Sequence, residues 1–339
     1  MTLACVFGCA GLTLQPEEAA FFRDARPWGF ILFRRNVESP EQVRALCQAL
    51  RGAIDQPTAP VMIDQEGGRV QRLGPPHWRR YPAAGVLAAV RADPFAAREL
   101  VRLGARLIAD DLMDLGVTVD CAPVVDVPSP GGHQVIGDRA YGRTPADVGL
   151  LARAFAEGLL AGGVAPVVKH IPGHGRATVD SHLQLPVADA GLAELEAVDL
   201  AAFRILSDMP IAMTAHVVYR AIDPQRPATT SRRVIAELIR RSIGFDGLLL
   251  SDDLSMNALS GGLRQRARAA LAAGCDVALH CNGDLAEMRA VAAGTRTLSG
   301  DSAARARAAL ARLPRTPEPF DRPAAVERFE FLLGGGRVQ

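Results

Sequence analysis

The stretch PADVGLLARAFAEGLLAGGVAPVVKH, residues 145–170, contains one complete unit of the predicted fold. Its helical pattern, residues 145–162, begins with a proline, which suits a first helical turn, and ends at paired glycines. The apolar run at 164–168 does not alternate with polar residues, which predicts a strand buried on both faces. The polar pair Lys169 and His170 stands at the carboxyl end of that strand. This order is typical of parallel α/β proteins.

The same order recurs along the chain. Eight short runs rich in Val, Ile and Leu predict strands at residues 3–7, 29–33, 60–63, 117–121, 164–168, 210–214, 247–250 and 275–279. Helical patterns between them include residues 40–54, 94–115, 145–162, 191–206 and 231–242. Eight such units in about 280 residues predict an α/β fold of the (β/α)8 TIM-barrel type. A doubly wound sheet is the alternative, but the first βα turn, residues 8–11, lacks the G-x-G-x-x-G spacing.

The chain of 339 residues is predicted to form a single catalytic domain over 1–339, with the barrel at about 3–300 and C-terminal helices at about 301–333. The apolar start, residues 1–14, has no basic residue before it and leads into a helix start, so it is predicted to be a core strand and not a signal peptide. The six cysteines form no C-x-x-C pair, which disfavours a zinc or redox motif and favours a reducing cytoplasm.

Charge and hydropathy exclude other classes of protein. The formal net charge of +1 argues against a nucleic-acid or anionic-membrane partner. No apolar run reaches the ~18 residues that a membrane span requires. Of the 38 basic residues only Lys169 is lysine. A lysine is a compact point charge whereas arginine is a wide planar fork, so this exception beside His170 predicts a functional position.

Polar residues follow five of the predicted strands, in each case at the carboxyl end. They are Asp64, Asp126, the pair Lys169 and His170, His216, and the group Ser251, Asp252 and Asp253. Any one of them could be a helix cap or a satisfied core polar group; Asp253, for example, could cap the next helix. In a barrel, however, the carboxyl ends of the strands surround one mouth, where catalysis takes place. The recurrence therefore predicts an active site.

Three segments carry specific chemistry. In KHIPGHGRATVDSH, residues 169–182, Asp180 and His182 point the same way if the chain is extended, and a carboxylate stabilises a neighbouring imidazolium. The segment GFDGLLLSDDLSM, residues 244–256, places Asp252 at a buried strand end, as a carboxylate nucleophile requires. The segment DQEGGRVQR, residues 64–72, combines paired glycines with acidic and basic groups that can bind sugar hydroxyls.

Together with APVVDV (122–127), IGDR (136–139), MTAH (213–216) and AGCD (273–276), these segments resemble the bacterial β-N-acetylglucosaminidases of glycoside hydrolase family 3 over about residues 29–282. The resemblance implies a cytoplasmic enzyme of peptidoglycan recycling. It would remove terminal N-acetylglucosamine from N-acetylglucosaminyl-1,6-anhydro-N-acetylmuramic acid and its peptides. It implies no metal, no cofactor and no obligate protein partner.

The resemblance also implies roles for individual residues. Asp252 would be the nucleophile of a retaining mechanism, and His182, supported by Asp180, the acid/base. The residues that would hold the sugar are Asp64, Arg72, Arg139, Lys169 and His170. The chain departs from the family pattern at Asp120 and Cys121 and at Ala140 and Tyr141, none of which is a catalytic position.

Other functions stay open at this point. A phosphorylase could share the covalent intermediate, because a histidine acid/base does not repel phosphate. A metal-dependent hydrolase could be imagined with ligands at His170, His174, His182, His216 and Asp252, although the His-x-His of such barrels is missing. A Schiff-base aldolase acting through Lys169 and a sugar-binding barrel without catalysis are two further alternatives.

Overall fold

A closed barrel of eight parallel strands organises the chain. The computed structural model describes residues 1–90, 94–177, 179–181, 183–314 and 316–334. The strands in this part of the chain are β1 (Leu3–Phe7), β2 (Pro27–Leu32), β3 (Val61–Ile63), β4 (Gln65–Gly67), β5 (Val70–Gln71), β6 (Val119–Asp120), β7 (Ala165–Ile171), β8 (Val187–Ala188), β9 (Ile211–Thr214), β10 (Val218–Tyr219), β11 (Leu248–Asp253) and β12 (Val277–His280). The barrel order is β1-β12-β11-β9-β7-β6-β3-β2, so the predicted TIM-barrel fold is confirmed.

Helices surround the barrel. They are α1 (Pro16–Ala25), α2 (Pro40–Ala53), α3 (Ala84–Ala89), α4 (Pro94–Asp114), α5 (Pro145–Ala161), α6 (Leu192–Ala197), α7 (Asp199–Arg204), α8 (Leu263–Ala273), α9 (Leu285–Ala292), α10 (Gly300–Ala311) and α11 (Arg322–Leu333). Short 3₁₀ turns lie at Arg34–Asn36, Gly137–Arg139 and Ala228–Thr230. None of the described helices is both long and apolar enough to cross a membrane.

Two predicted helices differ from the structure. The pattern at 191–206 forms two helices, α6 and α7, which meet at Val198. Directly after the break, the buried carboxylate of Asp199 accepts a 2.6 Å hydrogen bond from Arg176 of the loop that follows β7. The pattern at 231–242 forms a wider π-helix, Val234–Ile243.

Every barrel strand is buried on both faces, which explains the unbroken apolar runs. In β11, Leu248 and Leu250 point into the barrel and Leu249 points towards the helices. Alternate residues on a strand face opposite sides, so the inner and outer cores both receive apolar side chains from each strand. The polar residues that the sequence places after these runs therefore stand above the inner core, at the carboxyl mouth.

Candidate active site

The carboxyl ends of the barrel strands surround a cavity of about 270 Å³. The predicted site residues that line it are Asp64, Arg72, Arg139, Lys169, His170, Asp180 and Asp252. The structure thus brings together side chains that lie up to almost 190 positions apart in the sequence. The predicted acid/base, His182, lies outside the described residues.

On one side of the cavity, a buried ammonium group contacts two carboxylates. Lys169, which is 2% exposed, places its Nζ atom 2.9 Å from Asp64 and 2.7 Å from Glu66. Burial by itself would lower the pKa of Lys169, but the two carboxylates raise it above its ordinary value, so the group stays charged. One compact ammonium between two carboxylates is an arrangement that a planar guanidinium would not reproduce.

Glu66 was not among the predicted site residues. Arg139 donates two hydrogen bonds of 2.8 Å to its carboxylate, from Nε and from Nη2. Although burial raises the pKa of Glu66, Lys169 and Arg139 outweigh it and hold that pKa at about 2. Glu66 lies inside the segment 64–72, but its orientation depends on the turn that follows it. Gly67 has a φ of 94°, a conformation that favours glycine.

Asp64 also binds Arg72. The Nη2 atom of Arg72 lies 2.9 Å from Asp64 Oδ2, and its guanidinium lies 4.9 Å from the centre of the Phe33 ring. Burial would raise the pKa of Asp64, but Lys169 and Arg72 lower it well below the usual range. This wall of the cavity therefore alternates fixed negative and positive charges beside an aromatic face.

A second buried carboxylate orients the histidines of the site. Asp126, fully buried, lies 2.7 Å from His170 Nδ1 and accepts hydrogen bonds from the backbone N–H groups of His170 and His174. A carboxylate at Nδ1 fixes a proton on that nitrogen and leaves Nε2 to face a ligand. The sequence predicted Asp126 as a polar residue at a strand end, but only the fold shows that it pairs with His170.

Asp252 stands at the end of β11, partly exposed to the cavity. Its Oδ1 atom accepts a 2.8 Å hydrogen bond from the backbone N–H of Asp253. Burial would raise the pKa of Asp252, but His216 and His170, when protonated in acid, and this N–H lower it below the ordinary value, so the carboxyl group is ionised at neutral pH. An ionised carboxylate with one fixed oxygen is suited to nucleophilic attack.

Asp253 does not cap the next helix, which was the alternative that its sequence position left open. Its carboxylate accepts hydrogen bonds from the backbone N–H groups of Ser255 and Cys281, while α8 begins ten residues later. Asp253 therefore ties the end of β11 to the segment that follows β12.

The loop after β7 brings Asp180 and Ser181 to the cavity. Ser181, 3% exposed, lies 3.0 Å from the Nε2 atom of the buried His174. Burial lowers the pKa of His174 to about 4, so this ring is neutral at physiological pH. Nearer the start of the loop, Arg176 forms ion pairs of 2.6 Å with both Asp199 and Glu194. The ion pairs of Arg176 fix the loop to α6 and α7.

The sequence profile of the glycosyl hydrolase family 3 N terminal domain matches residues 12–315 of this chain. The chain belongs to glycoside hydrolase family 3. It is 46% identical over 282 residues to a β-hexosaminidase of Alkalilimnicola ehrlichii, which covers 82% of this chain and 80% of that protein. The predicted family is therefore confirmed, and the chain is a glycoside hydrolase.

Solved structures of the family agree with the fold. Native NagZ from Neisseria gonorrhoeae superposes with a TM-score of 0.84 at 34% identity, over 99% of this chain and 98% of that one. The same protein in complex with N-trifluoroacetyl-D-glucosamine gives a TM-score of 0.84 at 34% identity, over 98% and 97% of the two chains. The family likeness thus extends over the whole barrel.

Proposed function

We propose that this family 3 hydrolase is a retaining exo-β-N-acetylglucosaminidase. Asp252 is the nucleophile, and His182, supported by Asp180, is the acid/base. The proposed substrates are N-acetylglucosaminyl-1,6-anhydro-N-acetylmuramic acid and its peptides, in cytoplasmic peptidoglycan recycling. The observation that carries the proposal is the ionised carboxylate of Asp252, which is held at the cavity that Asp180 also lines.

The proposed reaction has two steps. Asp252 attacks the anomeric carbon as the glycosidic C–O bond breaks, and His182 gives its proton to the departing oxygen. A water molecule then loses a proton to His182 and attacks the same carbon, which releases Asp252 and returns both residues to their starting states. Imidazole has an ordinary pKa near 6.5, so the neighbouring Asp180 carboxylate is needed to keep enough of the acid form at neutral pH.

Sugar recognition rests on the charged wall of the cavity. Asp64 pairs with Arg72 and Lys169, and Arg139 pairs with Glu66, so protein contacts hold these side chains in place before a ligand binds. Sugar hydroxyls can donate to the carboxylates and accept from the ammonium and guanidinium groups, and hydrogen bonds with ionised groups are about twice as strong as bonds between neutral groups. The N-trifluoroacetyl-D-glucosamine held by the neisserial NagZ supports a hexosamine as the sugar.

The nucleophile is tested with Asp252→Asn. This variant is expected to lose hydrolysis of an aryl β-N-acetylglucosaminide by roughly 10⁴-fold or more, with unchanged thermal unfolding, because the amide cannot form the ester intermediate. The exposed Asp301→Asn serves as the control. A 2-fluoro sugar should label Asp252 in a peptide digest. Near-normal hydrolysis by Asp252→Asn, or a label on another residue, would overturn the assignment.

The acid/base pair is tested with Asp180→Ala. Without the carboxylate the imidazole is less often protonated, so hydrolysis of substrates with poor leaving groups should fall by roughly 10²-fold. Substrates with good leaving groups, which need little protonation, should fall much less in the first step. Equal losses for both classes would contradict the role of Asp180.

Product analysis in phosphate buffer distinguishes a hydrolase from a phosphorylase. Free sugar is the expected product, and sugar 1-phosphate would favour the phosphorylase alternative.

A further inference from the structure

His216 is fully buried and is not one of the residues that line the cavity. It follows β9 and is 0% exposed. Its Nε2 atom lies 3.0 Å from the backbone carbonyl oxygen of Asp253, and its Nδ1 atom lies 2.7 Å from the hydroxyl oxygen of Thr229. Both ring nitrogens are therefore engaged, one of them with the residue that directly follows the proposed nucleophile.

The partners of the ring determine its tautomer. A carbonyl oxygen only accepts, so Nε2 must carry a proton and donate to Asp253. The Thr229 hydroxyl can donate to Nδ1, while its oxygen accepts from the Thr214 hydroxyl at 2.8 Å. The competing acceptor for Thr229, the carbonyl of Ala215, is more distant at 3.2 Å. The network is complete with a neutral ring protonated at Nε2, and burial also lowers the pKa of His216.

Asp253 connects the His216 ring to the nucleophile through hydrogen bonds. Its backbone N–H donates to Asp252 Oδ1, its carbonyl accepts from His216, and its carboxylate accepts from Cys281. The next residue, Leu254, donates its N–H to Leu279 of β12. Without the His216 contact, the segment at Asp253 would keep the bonds to Leu279 and Cys281 but lose the side-chain donor at the carbonyl of Asp253, so the N–H that holds Asp252 would be less firmly oriented.

We propose that His216, protonated at Nε2 and held neutral by Thr229, is a positioning residue that orients Asp252 through the backbone of Asp253. The inference rests on the proposed function of Asp252 as nucleophile. A neutral ring gives orientation without a full positive charge beside the carboxylate, and a full charge would stabilise the carboxylate ion and weaken it as a nucleophile.

A pair of variants isolates the hydrogen bond. His216→Met removes the donor at similar volume, whereas His216→Gln retains an N–H that can reach the carbonyl of Asp253. Because misplacement of a reacting group by about 1 Å can cost 100-fold, we expect His216→Met to lower kcat by about 10- to 100-fold with little change in KM. His216→Gln should restore most of the activity. Rates are expressed per active site titrated with the 2-fluoro sugar, so misfolded enzyme does not contribute.

A spectroscopic readout on the wild-type enzyme does not depend on the folding of a variant. In ¹⁵N-histidine-labelled protein at neutral pH, one ring should carry its proton on Nε2 and leave Nδ1 unprotonated, and it should take up a second proton only at a lower pH than an ordinary imidazole does. That signal should vanish in His216→Gln and move in Thr229→Val but not in Thr229→Ser. Wild-type kcat per active site in His216→Met, or a ring protonated at both nitrogens at neutral pH, would overturn the inference. Absence of hydrolysis by the wild-type enzyme would instead overturn the proposed function.

Discussion

Carboxyl groups near the cavity have different pKa values, which depend on whether a cation lies beside them. Asp64 and Glu66 each contact cations, and both have lowered pKa values. Asp120, which is fully buried, is different. Its Oδ1 atom accepts a 2.9 Å bond from the backbone N–H of Gln65, but Oδ2 has no partner among the described residues. Burial raises the pKa of Asp120 to about 8, more than Gln65 and Lys169 lower it, so this carboxyl keeps its proton at neutral pH.

Asp120 therefore makes stability fall as the pH rises. Below pH ~4 the carboxyl group of Asp120 is protonated in both the folded and the unfolded chain. Between that pH and about 8 only the folded chain keeps the proton. In this range the free energy of unfolding falls by at most about 1.4 kcal/mol for each pH unit. Asp120→Asn should match the wild type near pH 4.5 and exceed it by on the order of 1–3 kcal/mol at pH 7.5. Urea unfolding at several pH values measures this. A difference that does not vary with pH would contradict the prediction.

At the scale of elements, the loop after β7 depends on close backbone contact. The carbonyl of Gly175 accepts from the N–H of Ser129 at 3.1 Å. A Cβ atom at Gly175 would lie 1.9 Å from the carbonyl oxygen of Val127, far inside contact distance. Two segments that follow different strands, β6 and β7, can approach this closely only because residue 175 has no side chain. The loop that bears Asp180 starts from this contact.

Gly175→Ala should displace the loop while the barrel stays folded. We expect kcat to fall by about 10- to 100-fold, because Asp180 and its neighbours leave their places, and stability to fall by about 1–3 kcal/mol from overpacking. Gly11→Ala is the matched control, since nothing lies within 4 Å of its Cβ position. Assays on an aryl glycoside and urea unfolding report the two effects. Normal kcat in Gly175→Ala would show that the loop tolerates the displacement.

For the whole molecule, the last two helices complete the shell around the barrel. Residues Ala306 and Ala309 of α10 join the core inside the barrel strands, and α11 packs on α4. Phe329 of α11 is 1% exposed, and a Cβ atom on Gly104 of α4 would lie 2.8 Å from its ring. Apolar burial far from the cavity should stabilise the barrel without a direct effect on chemistry.

Phe329→Ala should cost about 3–5 kcal/mol in the free energy of unfolding, because the substitution leaves a large void between α11 and α4. Its kcat at a temperature where the protein remains folded should equal that of the wild type. Phe331 lies in the same helix but is 37% exposed, so Phe331→Ala is expected to lower the free energy of unfolding much less. Urea unfolding compares the two variants. A loss for Phe329→Ala as small as that for Phe331→Ala would show that α11 does not form part of the cooperative core.

Much of the architecture was predictable because it depends on local patterns. Each of the eight predicted apolar runs overlaps a strand of the barrel, since burial on both faces leaves an unbroken apolar run. The cavity position of Asp64, Lys169 and Asp252 was predictable too, because the carboxyl ends of parallel strands converge on one mouth. The break at Val198 was not predicted, and neither was the bond from Arg176 to the adjacent Asp199, because a local pattern carries no information on such a tertiary contact.

By itself, the sequence determined the strands, most of the helices and the end of the barrel where polar side chains gather, because periodicity and strand direction are properties of neighbouring residues. Only the tertiary structure decided which charges meet. Lys169 pairs with Asp64 across 105 positions, and Arg139 with Glu66 across 73. Their pKa values follow from distance and burial, which depend on how the strands close into a barrel and on the turn at Gly67, and not on the order of residues along the chain.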